Sequence, residues 1–454
     1  MFKTWLAQQA YTLLLRLLVP AYLWRVWRRG RQEPIYRVNW PQRLGWYGRA
    51  HRQSVSALQA QARTAAVPVV WVHAVSLGET LAARPLIAAL REAWPGMRLL
   101  LTHGTATGRE AGRALLRDGD VQTWLPYDTP GAVHRFLQAH RPAVGILMET
   151  EIWPNLQAAS QALRVPMVLA NARLSAKSLR QALRFAPLLR PAAESLAMAL
   201  AQTQADADRL IQAGVKQVKV CGNVKFDLTP SPDLLAQGRG WALLSQRPVV
   251  LAAVTREGEE AELLDAWVNM ARGGMGQGPL PRLLIVPRHP QRFDEVVALI
   301  AQRGLSVSRR SHWGAAGPDD QALACDVWLG DSMGEMAAYY AVARVALLGG
   351  SFAPLGGQNL IEAAACGCPL VMGPHTFNFA DAAELSEAAG AAVRAISLPE
   401  GLKVAMTLMD PARHQTMVVH ALHFAENHRG AARRMSQIMR SMLHFPPNQG
   451  AAPG

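Results

Sequence analysis

The stretch Val67-Pro-Val-Val-Trp-Val-His-Ala-Val-Ser-Leu-Gly-Glu-Thr80 decides how the rest of the chain is read. A short valine-rich run ends at His73. A small-residue loop containing Gly78 follows, and a helical pattern spans 79–93. Pro68 falls at the start of the run, where a missing N–H is tolerated. Strand, tight loop and helix in this order predict one step of a parallel sheet.

The alternation repeats outward from this stretch. Apolar runs at 98–102, 121–125, 143–148, 166–170, 195–200 and 218–221 read as strands, with helices between them, one near 108–117. A second series opens at Pro248-Val-Val-Leu-Ala-Ala-Val-Thr255. It continues through a helix at 257–271 and strands at 283–287, 327–330, 345–349, 369–372 and 391–395. A chain of 454 residues suits two such domains. The expectation is α/β, with two doubly wound domains. Pro230, Pro232, Gly238 and Gly240 mark 223–245 as the linker. The expected division is 1–30 for an anchor and its basic flank, 31–222 for the first domain and 246–410 for the second. C-terminal helices at 411–454 pack back across both domains, with a loose end at Pro446, Pro447, Asn448 and Gly450.

Charge is concentrated at the start. Residues 1–52 hold ten basic side chains against one acid, Glu33, and so carry +9 of the formal +14. The cluster follows the apolar segment 11–24, which is interrupted by Arg16 and Pro20. That order predicts a retained membrane anchor, spanning or lying in the interface, with Arg25–Arg31 beside anionic lipids and the domains on the cytoplasmic side. Nucleic-acid binding lacks the interleaved aromatic and basic residues it needs. The four cysteines, Cys221, Cys325, Cys366 and Cys368, form no CxxC pair, so no metal site is expected.

Ligands of doubly wound sheets bind beyond the carboxyl ends of the strands, so the strand-to-helix loops carry the chemistry. In His73–Thr80, Glu79 at a helix start is either a base for an acceptor hydroxyl or one half of a capping box with Ser76. Thr102-His-Gly-Thr-Ala-Thr-Gly108 either holds an anion or a sugar, or simply forms a loop. In Met148-Glu-Thr-Glu-Ile-Trp-Pro-Asn155, Glu149 and Glu151 share a side if the strand continues. They serve a ligand, or one of them pairs with an arginine such as Arg173. In the second domain, Arg288, His289 and Arg292 form a basic loop suited to phosphate. Met333, Gly334 and Glu335 lie in another strand-to-helix loop. The run from Gly349 through Gly356 and Gly357 reads as a phosphate cradle opening a helix. Asn359 and Glu362 fit a capping box, and Glu362 also suits ribose hydroxyls. Neither a GxGxxG fingerprint, a Gly-Lys-Ser/Thr phosphate loop nor a Ser/His/Asp order is present, which argues against dehydrogenase, nucleotide hydrolase and serine hydrolase readings.

Taken together, these loops resemble the bacterial 3-deoxy-D-manno-octulosonic acid (Kdo) transferases of lipopolysaccharide synthesis. The matching segments are Val75–Glu79, Thr102–Gly108, Met148–Asn155, Pro287–Pro290 with Arg292-Phe293, Gly330–Glu335 and Gly373-Pro-His-Thr-Phe-Asn-Phe379. The resemblance implies a GT-B fold: two Rossmann-like domains facing a cleft, with an N-terminal membrane-anchor helix at the inner membrane. It implies inverting transfer of Kdo from CMP-Kdo to lipid IVA without a cofactor or metal. Glu79 would be the general base, and the nucleotide would lie near Arg288, the Met333–Glu335 loop and Glu362. The chain departs from the family's common histidines at Arg256 and Gln358, both of which still donate hydrogen bonds. A GT-B enzyme of UDP-sugars, transferase or epimerase, and a non-enzymatic membrane lipid-binding protein are the alternatives. No protein partner is indicated.

Overall fold

The computed structural model describes residues 2–227, 229–273 and 280–442, and the expected loose end at 446–450 lies outside them. The chain divides into two compact units. The first takes the described residues up to Asp227 and those from Gly430 onward, and the second takes those between.

The first unit contains β1 (Val69–His73), β2 (Arg98–His103), β3 (Val121–Trp124), β4 (Val144–Met148), β5 (Met167–Ala172), β6 (Met198–Ala201) and β7 (Val218–Val220). They pair in the order β3-β2-β1-β4-β5-β6-β7, every neighbour parallel. Successive side chains point to opposite faces. Val70 and Val72 therefore enter one core, while Val69 and Trp71 enter the other. Helix Leu77–Ala93 covers the first face with Leu86, Ile87 and Leu90. The helix Ala431–Met442 adds Ala431, Met435 and Met439, one per turn. Asp227 fastens the start of that helix, accepting N–H groups from Gly430, Ala431 at 3.2 Å and Ala432 at 2.5 Å. Burial along the whole length of β1, β4 and β6 is why these strands read as apolar runs.

The second unit repeats the design with β8 (Val249–Thr255), β9 (Arg282–Pro287), β10 (Val307–Arg309), β11 (Val327–Leu329), β12 (Val345–Leu348), β13 (Leu370–Met372) and β14 (Ala392–Arg394). Their order is β10-β11-β9-β8-β12-β13-β14, again all parallel. Each sheet reverses its winding once, between β1 and β4 and between β8 and β12. A crevice beyond the carboxyl ends at such a reversal is the usual ligand site.

Three features differ from the sequence reading. The edge strand β10 was not anticipated, because Val307-Ser-Arg309 offers one apolar residue in three. Within 223–245, residues 232–245 form the helix Pro232–Ser245 rather than a loose connector. Pro232 occupies its first turn, where a missing N–H is harmless. A side chain on Gly238 would stand 2.2 Å from the Ala338 carbonyl oxygen, so this glycine admits the helix Met336–Val342.

The third correction concerns the amino terminus. Phe2–Arg29 is one helix, but among the described residues no helix is long and apolar enough to cross a membrane. Gln8, Gln9, Arg16 and the closing arginines dilute its apolar content. Its polar side chains bind the first unit instead. Tyr11 Oη donates to Asp128 at 3.0 Å, Thr12 Oγ1 to Asn155 at 3.2 Å, and Gln8 Nε2 to Asn155 at 3.4 Å. Asp128 also accepts the N–H groups of Asn155 and Leu156, at 3.0 and 2.7 Å. The expectation of a membrane-spanning anchor helix, and of a single-pass location resting on it, is overturned.

Candidate active site

At the β1–β4 reversal, Ser76 caps the helix Leu77–Ala93 and accepts the Glu79 N–H at 3.3 Å. Glu79 returns the contact, accepting the Val75 N–H at 2.8 Å and the Ser76 hydroxyl at 3.0 Å. Ser76 and Glu79 thus cap the helix reciprocally, with the Val75 N–H in place of the N-cap's own, and this fixes the Glu79 carboxylate at the strand's carboxyl end. The Thr102–Gly108 loop buttresses this turn. The Val75 carbonyl accepts from Gly104 N at 3.1 Å, Thr105 N at 3.0 Å and Thr105 Oγ1 at 3.1 Å. A Cβ on Gly108 would lie 3.0 Å from Ser76 backbone, so glycine permits the contact.

The chain turns sharply at the end of β4. Glu149 has φ +62°, a left-handed conformation that costs energy for a residue with a side chain. Glu149 and Glu151 thus do not continue an extended strand, yet Glu149 acts on Glu79 and Glu79 acts on Glu151. Glu79 is raised above the usual carboxylate range, first by burial and also by Glu149, against the hydrogen bonds from Val75 and Ser76 and the charge of Lys225. Glu151 is pushed up to about 7, first by burial and then by Glu79, while the Trp153 indole and Glu149 make smaller, opposed contributions. The expected arginine partner is not used: Arg173 gives only its backbone N–H to the Glu149 carbonyl, at 3.3 Å. The cation is Lys225, whose Nζ lies 3.1 Å from Glu149 Oε1. Sequence reading missed it. Its signal was Asn223-Val-Lys-Phe-Asp227, directly after β7 and hence at a strand's carboxyl end.

In the second unit, β8 ends in a bulge where Val254 takes φ +60°. Beyond it, Glu259 accepts the Gly350 N–H at 2.8 and 2.9 Å, the Arg256 N–H at 2.9 Å and the Ala353 N–H at 3.4 Å. This organising carboxylate was also missed by sequence reading. The Gly357 N–H donates to the Gly350 carbonyl at 2.7 Å, so it is occupied within the loop rather than open to a phosphate. A Cβ on Gly356 would stand 2.4 Å from Asn378 Nδ2, and Asn378 N donates to the Gly356 carbonyl at 3.0 Å. These glycines serve close packing against the 373–379 loop.

Arg292 is likewise committed. It pairs with Glu260 at 2.8 Å and Glu295 at 2.7 Å, leaving Arg288 and His289 as the half-buried basic groups of that loop. The neutral form of His289 is favoured, first by burial and then by Arg256, Arg288 and Arg292, so positive charge gathers beyond β8 and β9. Arg256 and Gln358 flank one glycine, with atoms 3.5 and 3.3 Å from where a Gly350 Cβ would be. Asn359 accepts the Ile361 N–H at 3.2 Å and caps the helix Leu360–Ala365. Glu362 does not complete that box. Among the described residues nothing hydrogen-bonds its carboxylate, and burial raises it. At the end of β11, Glu335 is a brace, accepting from Arg310 at 2.8 Å and from the Ser332 hydroxyl. Met333 is exposed and Gly334 has φ +81°.

Among the described residues, no group of three or more His, Cys, Asp or Glu is placed to hold a metal. A cavity of about 390 Å³, lined by Arg63, Pro68 and Arg141, opens at the amino end of β1, away from these loops, and has no acid or nucleophile in its lining.

Two all-parallel, doubly wound units are a fold shared with solved structures of more than one kind of enzyme. A glycosyltransferase structure from Rickettsia africae aligns over 83% of this chain and 98% of its own, with a TM-score of 0.55 at 11% identity, a likeness of fold alone. Residues 38–228 match the family model described as 3-deoxy-D-manno-octulosonic-acid transferase (kdotransferase). The 3-deoxy-D-manno-octulosonic acid transferase of Bordetella pertussis is 47% identical over 441 residues, covering 95% of this chain and 99% of the relative. The one from Haemophilus influenzae is 33% identical, covering 81% and 82%. The chain belongs to the 3-deoxy-D-manno-octulosonic acid transferase family.

Proposed function

We propose that this chain transfers Kdo from CMP-Kdo to a hydroxyl of lipid IVA, with inversion and release of CMP. The observation that carries this reading is the likeness to the Bordetella pertussis transferase along nearly the whole of both chains. In this reading Glu79 takes the acceptor proton, the acceptor oxygen attacks the anomeric carbon, and the bond to the CMP phosphate breaks with its electrons leaving on CMP. The placement of Glu79 at the β1–β4 reversal, held by two hydrogen bonds, supports the role of base. Arg288 and His289, with Arg256, meet the phosphate charge as side chains. The Met333–Gly334 stretch, exposed at the end of β11, faces the nucleotide. Glu335, Gly356, Gly357 and Asn359 shape the loops that hold it. Glu362, half-buried and unpartnered, accepts hydrogen bonds from the ribose.

CMP is expected to bind this protein in preference to UDP, and Glu362→Ala to weaken CMP binding roughly tenfold, the scale of one hydrogen bond to a charged group. Titration calorimetry with CMP, UDP and UDP-GlcNAc measures both. Preference for UDP-GlcNAc would replace the donor assignment, and unchanged CMP affinity in the variant would remove the ribose contact. Mass analysis of lipid IVA after reaction with CMP-Kdo tests the transfer itself and counts the Kdo units added.

A further inference from the structure

Three carboxylates beyond β1 and β4, Glu79, Glu149 and Glu151, are near enough to act on one another, and one ammonium pairs with Glu149. Lys225 lies on a turn, Val224–Asp227, whose backbone is fixed by other groups. The Val224 N–H donates to Asn171 Oδ1 at 3.1 Å, the Lys225 N–H to Asn223 Oδ1 at 3.0 Å, and Asn223 Nδ2 to Gln202 Oε1 at 2.9 Å. At the other end, Asp227 clamps the helix Ala431–Met442. None of these bonds requires a lysine side chain. That side chain instead reaches Glu149 at 3.1 Å, with the two only 21% and 17% exposed. Glu149 holds its position at the expense of a left-handed backbone.

Packing accounts for the other charges near the Glu79 helix. Arg109, on the helix Ala106–Gly112, acts on His103 and His51. Arg434, on Ala431–Met442, acts on Cys221 and donates to its carbonyl at 2.9 Å. His103 bonds Ala74 and Thr80. The Arg173 guanidinium is exposed. The groups acting on Glu79 are its own capping partners, Glu149 and Lys225, and Glu79 in turn acts on Glu151. Like charges crowded in one site cannot all ionise cheaply, whereas a paired cation removes one of the penalties.

We infer that Lys225 is a positioning residue for the transfer reaction: its ammonium, 3.1 Å from Glu149, offsets that carboxylate's charge beside Glu79 and so favours the ionised base. The inference rests on Glu79 being the base. Removing the ammonium leaves the Glu149 charge uncompensated beside Glu79, so protonation of Glu79 moves toward neutral pH.

The test is the pH profile of kcat with CMP-Kdo and lipid IVA for the natural protein, Lys225→Met, Lys225→Arg and Glu79→Gln, with thermal unfolding to confirm the fold. The acid limb of Lys225→Met is expected to move upward by about one pH unit, and Lys225→Arg to restore it. A folded Lys225→Met with an unmoved limb overturns the inference. So does a uniform loss at every pH accompanied by a raised KM for the acceptor, which would mark a substrate contact. If Lys225→Met does not fold, Lys225→Gln against Lys225→Arg makes the same comparison. An active Glu79→Gln removes the base assignment and this inference with it. An inactive Glu79→Gln beside an unshifted Lys225→Met removes this inference alone.

Discussion

Glu79→Gln is expected to lower kcat by roughly 10²- to 10⁴-fold, the usual contribution of a positioned general base. The amide oxygen still accepts the Val75 N–H that the carboxylate accepts at 2.8 Å, so the turn survives while the proton acceptor is lost. Loss of activity therefore reports on chemistry rather than folding, provided the melting temperature stays within a few degrees. KM for CMP-Kdo should change little, because the variant residue lies in the first unit and the basic loop assigned to the phosphate lies in the second. Turnover near that of the natural protein would end the base assignment and turn attention to Glu151, the neighbouring carboxyl pushed up to about 7.

Acidification should loosen the first unit well before the second. Three buried histidines and the half-buried His51, all in the first unit, hold their neutral forms: His51 and His103 are lowered to about 4, and His73 and His140 to about 3, in every case mainly by desolvation. His51 and His140 share a 2.9 Å contact between Nε2 atoms, and His140 Nδ1 is engaged by the Phe136 carbonyl at 2.8 Å. Only one of the facing nitrogens can carry a proton there. The unfolded chain takes up protons at its histidines near pH 6.5, whereas the folded unit does not until pH 3–4. Between those values the unfolded state binds more protons, so stability falls as pH falls. From pH 7 to pH 5 each histidine forfeits about 2 kcal/mol.

Raised carboxylates act in the opposite direction, because the folded state gains their protons first. Glu151, at about 7, and Asp128, at about 6, return about 2 and about 1 kcal/mol over the same interval. Glu79 adds to that side. The histidines prevail by a few kcal/mol, equivalent to a drop of about 10 °C in the midpoint of a unit this size. In the second unit Glu259 and Glu362 are raised, and its lowered histidines, His289 and His414, are less deeply buried. Hydrogen exchange at pH 7 and pH 5, corrected for intrinsic rates, separates the halves. Equal loss of protection in both, or none in either, would refute the assignment to these histidines.

The parts of the fold most legible in the sequence are those whose signal is local. Val144–Met148 and Arg282–Pro287 are buried on both faces and announce themselves as apolar runs. The edge strand Val307–Arg309 is half-exposed and carries no such run. Gly238 and Pro232 read as punctuation because sequence does not show whether a glycine faces solvent or a neighbouring helix. At the site, the helix-start capping by Ser76 and Glu79 was legible because a helix start and a strand end coincide within four residues, whereas the role of base came from the family resemblance. Lys225 and Glu259 were not. Each acts on a partner distant in sequence, Glu149 and Gly350, and only the sheet order brings those strand ends together. Arg292 was legible as basic but not as spent, since its acids Glu260 and Glu295 belong to different helices.

The polar stitching of the first helix has a practical corollary for anyone shortening this chain. Tyr11, Thr12 and Gln8 close off a buried acid and amide, Asp128 and Asn155, at the start of the helix Pro154–Ala162. That helix begins three residues after Glu151. Cutting the first thirty residues away would strip a hydrogen-bond donor from a carboxylate that is 4% exposed and already raised to about 6 by burial. The leading helix thus braces a buried polar pair, and a trimmed protein is expected to melt at a lower temperature than the full chain.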